Sequence, residues 1–375
     1  MRAYDDAKLD ALMDSAGMDL VLASSRHNVR YLTGGYIYHF NERSQRMGSG
    51  RYLAFVGVPK RTAANAFYIG TGGERHGLDV LPMGIEHRDL DAGDASSSSR
   101  VAARIQSFVG PRATVGVEMP FLPADAFVAL RSALPHATFI DATDLLHELR
   151  AIKTPDEIAA LRAVSERIAA AIQEGFGAGY DGVTTHEIAR AVERAMGAAN
   201  VAFLWALTNA GPGYLRAPSG TRWERGRLFH LDCGGEVGDY LADICRMGSL
   251  GEPSALGRAL VDECLAVQDT VRGRLRAGMT YGEVKDAARG ALAGSTHAAI
   301  GRIVAHGIGM VSHEQPMINR PDQADRILAE GHVLSVETEF LHPEIGHVKI
   351  EDTVAIAPQG AVGLGDGGRA LRVIG

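Results

Sequence analysis

Apolar and polar positions divide this chain into two differently patterned parts. Over the first 150 residues, short apolar runs alternate with helical stretches. DLVLASS (19–25), YLAFVGV (52–58), AFYIG (66–70), ATVGVE (113–118) and ATFID (137–141) predict strands. Helical spacing predicts helices near 5–16, 98–109 and 124–134. Together they predict an α/β layer with its own core. Thr154-Pro155-Asp156-Glu157 then predicts a helix start, with a Thr cap, Pro in the first turn and Glu set for a capping box. Ile158, Leu161, Val164, Ile168 and Ile172 continue it as an apolar stripe that ends in GFGAGYDG. Thr184 to Glu187 opens a second helix through Ile188, Val192 and Met196. About one hundred residues later the pattern returns: a long helix near 254–276 ends in RAGM, and Thr280 to Glu283 opens a shorter one. Long helix, glycine break, Thr-capped short helix, then strands, twice over, predicts an internal repeat of two αβ halves with a site in the cleft between them. The expected domains are residues 1–150 and 151–375.

Composition narrows the function classes. A chain of 375 residues suits two domains, and 46% apolar with 22% charged residues is a globular balance. A net charge of −7 argues against a nucleic-acid footprint. No window is apolar enough to span a bilayer. The opening MRAYDDAKLDALMDSAG carries both charge signs and reads as an amphipathic helix, not a signal peptide. Three cysteines, Cys233, Cys245 and Cys264, have no framework spacing, so free thiols in a reducing cytoplasm are expected. GLGDGG (363–368) has no helix after it and is a poor dinucleotide fingerprint.

The chemistry lies in the strands after each short helix. RLFHLDCGG and YLADICRMG carry Asp232 and Asp243, while VLSVETEF and HVKIEDTVAI carry Glu337 and Glu351. A carboxylate in an apolar strand is costly unless paired or bound to a cation. Four of them, symmetric over two half-repeats, exceed what the few basic residues of these strands would neutralise. Between the halves stands HGIGMVSHEQP, with His306 and His313 seven residues apart, not the four of H-E-x-x-H zinc sites. Four carboxylates and the His306 imidazole form a hard, oxygen-rich set suited to two divalent ions, manganese, cobalt, iron or zinc. Such a pair activates a shared water and polarises the bond it attacks. His313 is expected to contact substrate or transition state.

In order and spacing, Asp232, Asp243, His306, Glu337 and Glu351 resemble the metal set of the pita-bread metallohydrolases. That family includes aminopeptidase P, prolidase, methionine aminopeptidase, creatinase and ectoine hydrolase. NVRYLTG (28–34) and LRAIKTPDEI (149–158) resemble the N-terminal domain and first helix of its creatinase and prolidase branch. The resemblance implies a creatinase-like α/β domain followed by a pita-bread domain with a pseudo-twofold repeat. It implies that Asp232 binds one metal, that His306 and Glu337 bind the other, and that Asp243 and Glu351 bridge. Glu337 would also shuttle a proton, and His313 would stabilise the tetrahedral intermediate or the leaving group.

Three departures bear on the substrate. Peptidases of this family carry a histidine about seventeen residues before the first metal Asp, and here that position falls at Leu215; no histidine lies between Glu187 and Phe229. His230, two residues before Asp232 on the same strand face, could support the ligands or be a hydrogen-bonded core histidine. The usual Glu-Pro-Gly is Glu337-Thr338-Glu339, and Lys349 stands where arginine is usual, a point charge in place of a fork. Trp205 is expected in the core, and Cys233 and Cys245 as buried thiols. In creatinase-like dimers a loop corresponding to 36–52 reaches the partner's site, so Arg43, Arg46 or Arg51 could hold a substrate carboxylate in a homodimer. The expected function is hydrolysis of an amide or related C–N bond, as in Xaa-Pro peptidases. The alternative is a hydrolase or lyase acting on a small non-peptide carboxylate, and the departures shift weight toward it and predict weak cleavage of Xaa-Pro dipeptides. A non-catalytic binding module ranks last, because all five ligands are kept.

Overall fold

The computed structural model describes residues 4–44, 47–48, 50–78 and 83–375. They form two compact units, one ending at Arg150 and the other beginning at Ala151.

The first unit is built on a six-stranded mixed sheet. Leu20–Ala23 lies inside it, antiparallel to Phe55–Pro59 and parallel to Thr114–Val117. Phe67–Thr71 and His87–Asp91 extend one side, and Thr138–Asp141 closes the other. Alternate strand residues face opposite layers. Leu20, Leu22, Phe55 and Val115 pack on Val101, Ile105 and Leu130 of the helices Ser98–Val109 and Ala124–Ala133. Val21, Val56 and Tyr68 pack on Leu9, Met13, Val29 and Leu32. The five expected strands and three expected helices are present to within a few residues.

Sequence periodicity missed the helices Arg26–Thr33 and Thr143–Leu149 and the strand His87–Asp91. The first buries the polar residues His27 and Asn28. The buried Glu118 carboxylate answers them, accepting from the Ser24 and Ser25 amides and from Asn28 Nδ2 at 2.6–2.9 Å. His87–Asp91 is polar apart from Leu90 and pairs on one side only, as an edge strand, so it gives no apolar run to read.

In the second unit the predicted repeat is visible in the sheet order. Helices Pro155–Gly177 and Thr185–Ala198 precede strands Ala202–Ala210, Leu228–Val237 and Tyr240–Leu250. Helices Ala255–Arg274 and Tyr281–Ala293 precede Gly301–Gly307, Val333–His342 and Gly346–Ala357. Across the sheet each half runs from its first strand at the edge to its third at the centre, where Gly346–Ala357 meets Tyr240–Leu250. All three predicted capping boxes form, at Thr154/Glu157, Thr184/Glu187 and Thr280/Glu283.

One face of this sheet is apolar and covered by the two long helices. Ile168, Ile172 and Phe176 pack with Phe229, Leu231, Cys233 and Ile244; Leu260, Cys264 and Val271 pack with Val336, Ile350 and Val354. Burying each large apolar side chain contributes about 1.5–3 kcal/mol. The residues between them in the strands point to the other face and include Asp232, Asp243, Glu337 and Glu351, while Arg246 and Asp352 pair with each other on the helix-covered face. No helix among the described residues is long and apolar enough to cross a membrane.

Candidate metal centre

Strand register collects the predicted ligands. Glu337 pairs directly with Glu351, Glu351 with Cys245, and Cys245 with Asp232. These four form a row across four strands. His306 lies opposite Ser335, two residues before Glu337, and Asp243 opposite Gly234, two residues after Asp232. Because side chains alternate with period two, all share one face. Gly234 has a local reason: a Cβ there would collide with the Trp205 ring.

Electrostatics separate the carboxylates. Asp243 Oδ1 is buried with no hydrogen-bond partner. Burial pushes the Asp243 carboxyl well above the usual range, and the Glu351 and Asp232 charges add to it. Burial likewise pushes Glu351 up to about 8, with Lys349 pulling down and Glu337 and Asp232 pushing up. Ser335 donates to Glu351 Oε1 at 2.7 Å. Burial would raise Asp232 as well, but the Lys349 ammonium and the Arg216 guanidinium hold it below its ordinary value.

Burial, with His313 beside it, brings His306 down to about 4, so the ring is neutral at ordinary pH. Its Nδ1 lies 3.1 Å from the Gly307 carbonyl and acts as the donor there. That leaves the Nε2 lone pair facing Glu337 at 3.7 Å and Glu351 at 3.9 Å. Ligand atoms of Asp243, His306 and Glu351 lie within 4.8 Å of one another. An unpartnered carboxylate oxygen, a bare imidazole nitrogen and further carboxylates form a donor set that fits a divalent cation.

The other predicted residues divide. His313 is exposed, and its ring stacks on that of His306 with centroids 3.9 Å apart. His230 is no hydrogen-bonded core histidine: both ring nitrogens are buried without a partner, and the ring stacks on His347 at 4.3 Å. Burial, with His347 and Lys349 nearby, keeps it neutral by holding its pKa well below the usual value. Leu215 is 57% exposed, in the loop between the strands carrying Trp205 and Asp232. Arg43, at the end of the short helix His39–Arg43, and Arg51 are exposed in the first unit; Arg46 lies outside the described residues.

Two expectations need correction. The charge is not left to metals alone. Lys349 Nζ lies 2.8 Å from Asp232, 2.6 Å from Glu337 and 2.7 Å from Glu351, and Arg216 lies 2.9 Å from Asp232. Parity places Lys349 on the site face and could have shown its role; a lone arginine in a loop carries no such signal. Trp205 is only half-buried, with its indole nitrogen 3.4 Å from Asp232 Oδ1. Cys233 and Cys245 are both buried free thiols, as expected; Cys233 packs in the apolar layer, and Cys245 Sγ lies with His230 and Asp232.

Residues 7–152 match the creatinase/prolidase N-terminal domain, and residues 159–358, more than half of the chain, match metallopeptidase family M24. This chain belongs to metallopeptidase family M24. Among curated M24-like relatives, the Xaa-Pro dipeptidase of Pyrococcus furiosus is 30% identical over 224 residues, covering 58% of this chain and 64% of that protein, a little under two thirds of its length. The Xaa-Pro dipeptidase of Lactobacillus delbrueckii subsp. lactis is 27% identical over 364 residues, 94% of both chains. Among solved structures, an Xaa-Pro dipeptidase from Bacillus anthracis superposes with a TM-score of 0.83 at 23% identity, over 98% of this chain and 99% of that one. The N-terminal domain of the FACT subunit SPT16 from chickpea superposes at 0.77 with 15% identity, over 98% of both chains. The fold is the mixed α/β pita-bread architecture with a creatinase-like N-terminal domain.

Proposed function

We propose that this M24 chain is a metal-dependent hydrolase of the amide C–N bond of short peptides, with Xaa-Pro dipeptides as first candidates. The observation that carries the reading is the buried Asp243 Oδ1 without a partner, beside the bare Nε2 of a neutral His306 and next to Glu351. The relatives named Xaa-Pro dipeptidase support the substrate class.

In this reading Asp232, Asp243, His306, Glu337 and Glu351 are the residues that would hold the metal. The donors suffice for two ions of manganese, cobalt, iron or zinc; the cationic side chains decide how many bind together. A bound divalent cation supplies a water acidified enough to attack at neutral pH and polarises the carbonyl. Glu337, the least buried of the four carboxylates at 14% exposure, takes the proton released by that water and returns it to the leaving nitrogen. The exposed His313 ring, held against His306 and hydrogen-bonded to Ser312 Oγ at 3.1 Å, donates to the oxygen that gains charge. The domains divide near residue 150, and the active form is a cytoplasmic homodimer. The buried free thiols support a reducing compartment, and the exposed Phe40, stacked on Tyr52 in the 36–52 loop, supports a partner contact. Arg43, Arg46 and Arg51 of that loop are its candidates for a substrate carboxylate.

A second reading, a small non-peptide C–N substrate, is favoured by one feature. Exposed Leu215 stands at the expected histidine position, and its neighbour Arg216 turns onto Asp232. Assay of the metal-loaded protein on Xaa-Pro dipeptides, cyclic carboxylates and guanidino carboxylates separates the two. Cleavage of Ala-Pro or Gly-Pro above all other substrates is expected. Turnover confined to the non-peptide compounds would replace the first reading with the second.

A further inference from the structure

We propose that this centre holds a single divalent ion, and that the Lys349 ammonium and the Arg216 guanidinium replace the second cation at Asp232. The inference rests on the metal-centre reading above and sharpens it.

A second ion would depend on Asp232. Both of its oxygens are engaged. Oδ2 receives Lys349 Nζ at 2.8 Å and Arg216 Nη2 at 2.9 Å, and Oδ1 faces the Trp205 indole nitrogen at 3.4 Å. The ammonium also reaches Glu337 Oε2 at 2.6 Å and Glu351 Oε2 at 2.7 Å. It therefore stands among three of the four carboxylates, where a cation would stand.

Lys349 is poorly placed to withdraw. Its side chain is 2% exposed, so the ammonium has no route along its stem to water. The backbone is fixed too: Lys349 pairs with Glu339 in the sheet, and its carbonyl accepts from Cys245 Sγ at 3.4 Å. A divalent ion at Asp232 would sit within a few ångströms of the buried Lys349 ammonium and beside the partly exposed Arg216 guanidinium, and repulsion from the buried charge is poorly screened. Arginine, usual at position 349, spreads its charge over a planar fork, whereas lysine concentrates it on one nitrogen.

Charge balance agrees. With the four carboxylates deprotonated as ligands, two cationic side chains leave two negative charges, the number that one divalent ion neutralises. The uncompensated part of the site is not at Asp232. It lies at Asp243 Oδ1, which has no partner, and at His306 Nε2, which makes no hydrogen bond. The single ion belongs there, held by Asp243, His306 and Glu351 with Glu337 beside them.

The test is metal content, read separately from activity. The full chain is loaded with excess manganese(II), freed of unbound ion by gel filtration, and examined by elemental analysis and electron paramagnetic resonance. About one ion per chain and an uncoupled six-line spectrum are expected for the wild type. Lys349→Met keeps the stem and removes the charge; it should bind about twice as much metal and show an exchange-coupled spectrum. Should that variant not fold, Arg216→Ala, on a side chain 27% exposed, removes the other cation and should raise the uptake of a second ion. A wild type that retains a coupled pair, or variants whose content stays unchanged, would overturn the inference while leaving the metal centre intact. A wild type that binds no manganese, cobalt, iron or zinc would overturn both.

Discussion

Glu351 and Asp352 are neighbours on one strand and point to opposite faces of one sheet. Both are buried carboxylates, and their surroundings could hardly differ more. Asp352 meets Arg246, Arg272 and Arg369 at 3.0–3.1 Å, and Gln268 donates to it at 3.0 Å. Burial would raise its carboxyl, but Arg246 and the other guanidiniums hold it below the ordinary value. Arg246 is in turn satisfied by the carbonyls of Gly365, Gly367, Cys245 and Glu351. The glycine-rich segment 363–368 thus supplies carbonyl acceptors to an arginine. On Glu351's face the carboxylates outnumber their cations and Asp243 Oδ1 has no partner. A neutralised cluster fastens the fold, and an under-neutralised one is poised to take up a cation.

The sharpest way to break this comparison is to neutralise one acid on each face. We predict that Asp352→Asn destabilises the chain by about 3–5 kcal/mol, because three guanidiniums lose their counter-charge. Asp243→Asn in the metal-stripped protein should instead change stability by no more than about 1 kcal/mol at neutral pH, because burial already holds that carboxyl well above the usual range and so uncharged. Urea denaturation measures both, and equal losses in the two variants would show that the faces do not differ as argued. Asp243→Ala should in addition lose bound metal by elemental analysis.

Removal of the exposed ring beside His306 sharpens the contrast in rate rather than in stability. We predict that His313→Ala keeps its metal and its denaturation midpoint, while kcat falls about 10²–10³-fold. Metal loss accompanying the loss of rate would make His313 a ligand.

The smallest expected effect lies at the edge of the site face. Glu339 accepts from Arg302 at 2.6 Å and pairs with His347 at 2.7 Å. Burial would raise its carboxyl, yet His347 and Arg302 bring it from 4.5 down to about 2. A depressed acid contributes stability that is fully present above pH 4.5 and is lost as the pH falls toward 2. Glu339→Gln should therefore cost about 1–3 kcal/mol at pH 7 and progressively less below pH 4. A cost independent of pH would mean that packing, not charge, holds this residue in place.

Local signals in the sequence determined most of the secondary structure. Capping boxes at Thr154, Thr184 and Thr280 are short-range hydrogen-bond patterns, legible because donor and acceptor lie three residues apart. The recurrence of those helix starts made the two half-repeats readable, and acids in apolar strands marked the candidate ligands, since burial of a charge needs a compensating partner. Polar segments were less legible: Arg26–Thr33 is helical beneath a carboxylate ninety residues away in sequence. Only the tertiary structure decided which charges answer which. Parity could place Lys349 on the face of Glu351, but its reach to Asp232 depends on how the two half-repeats meet at the sheet centre. Arg216 on Asp232, the stack of His313 on His306, and the division between a saturated Asp352 and an unsaturated Asp243 arise between segments far apart in the chain. Charge compensation depends on distance in space, and no sequence spacing encodes that distance until the sheet has closed.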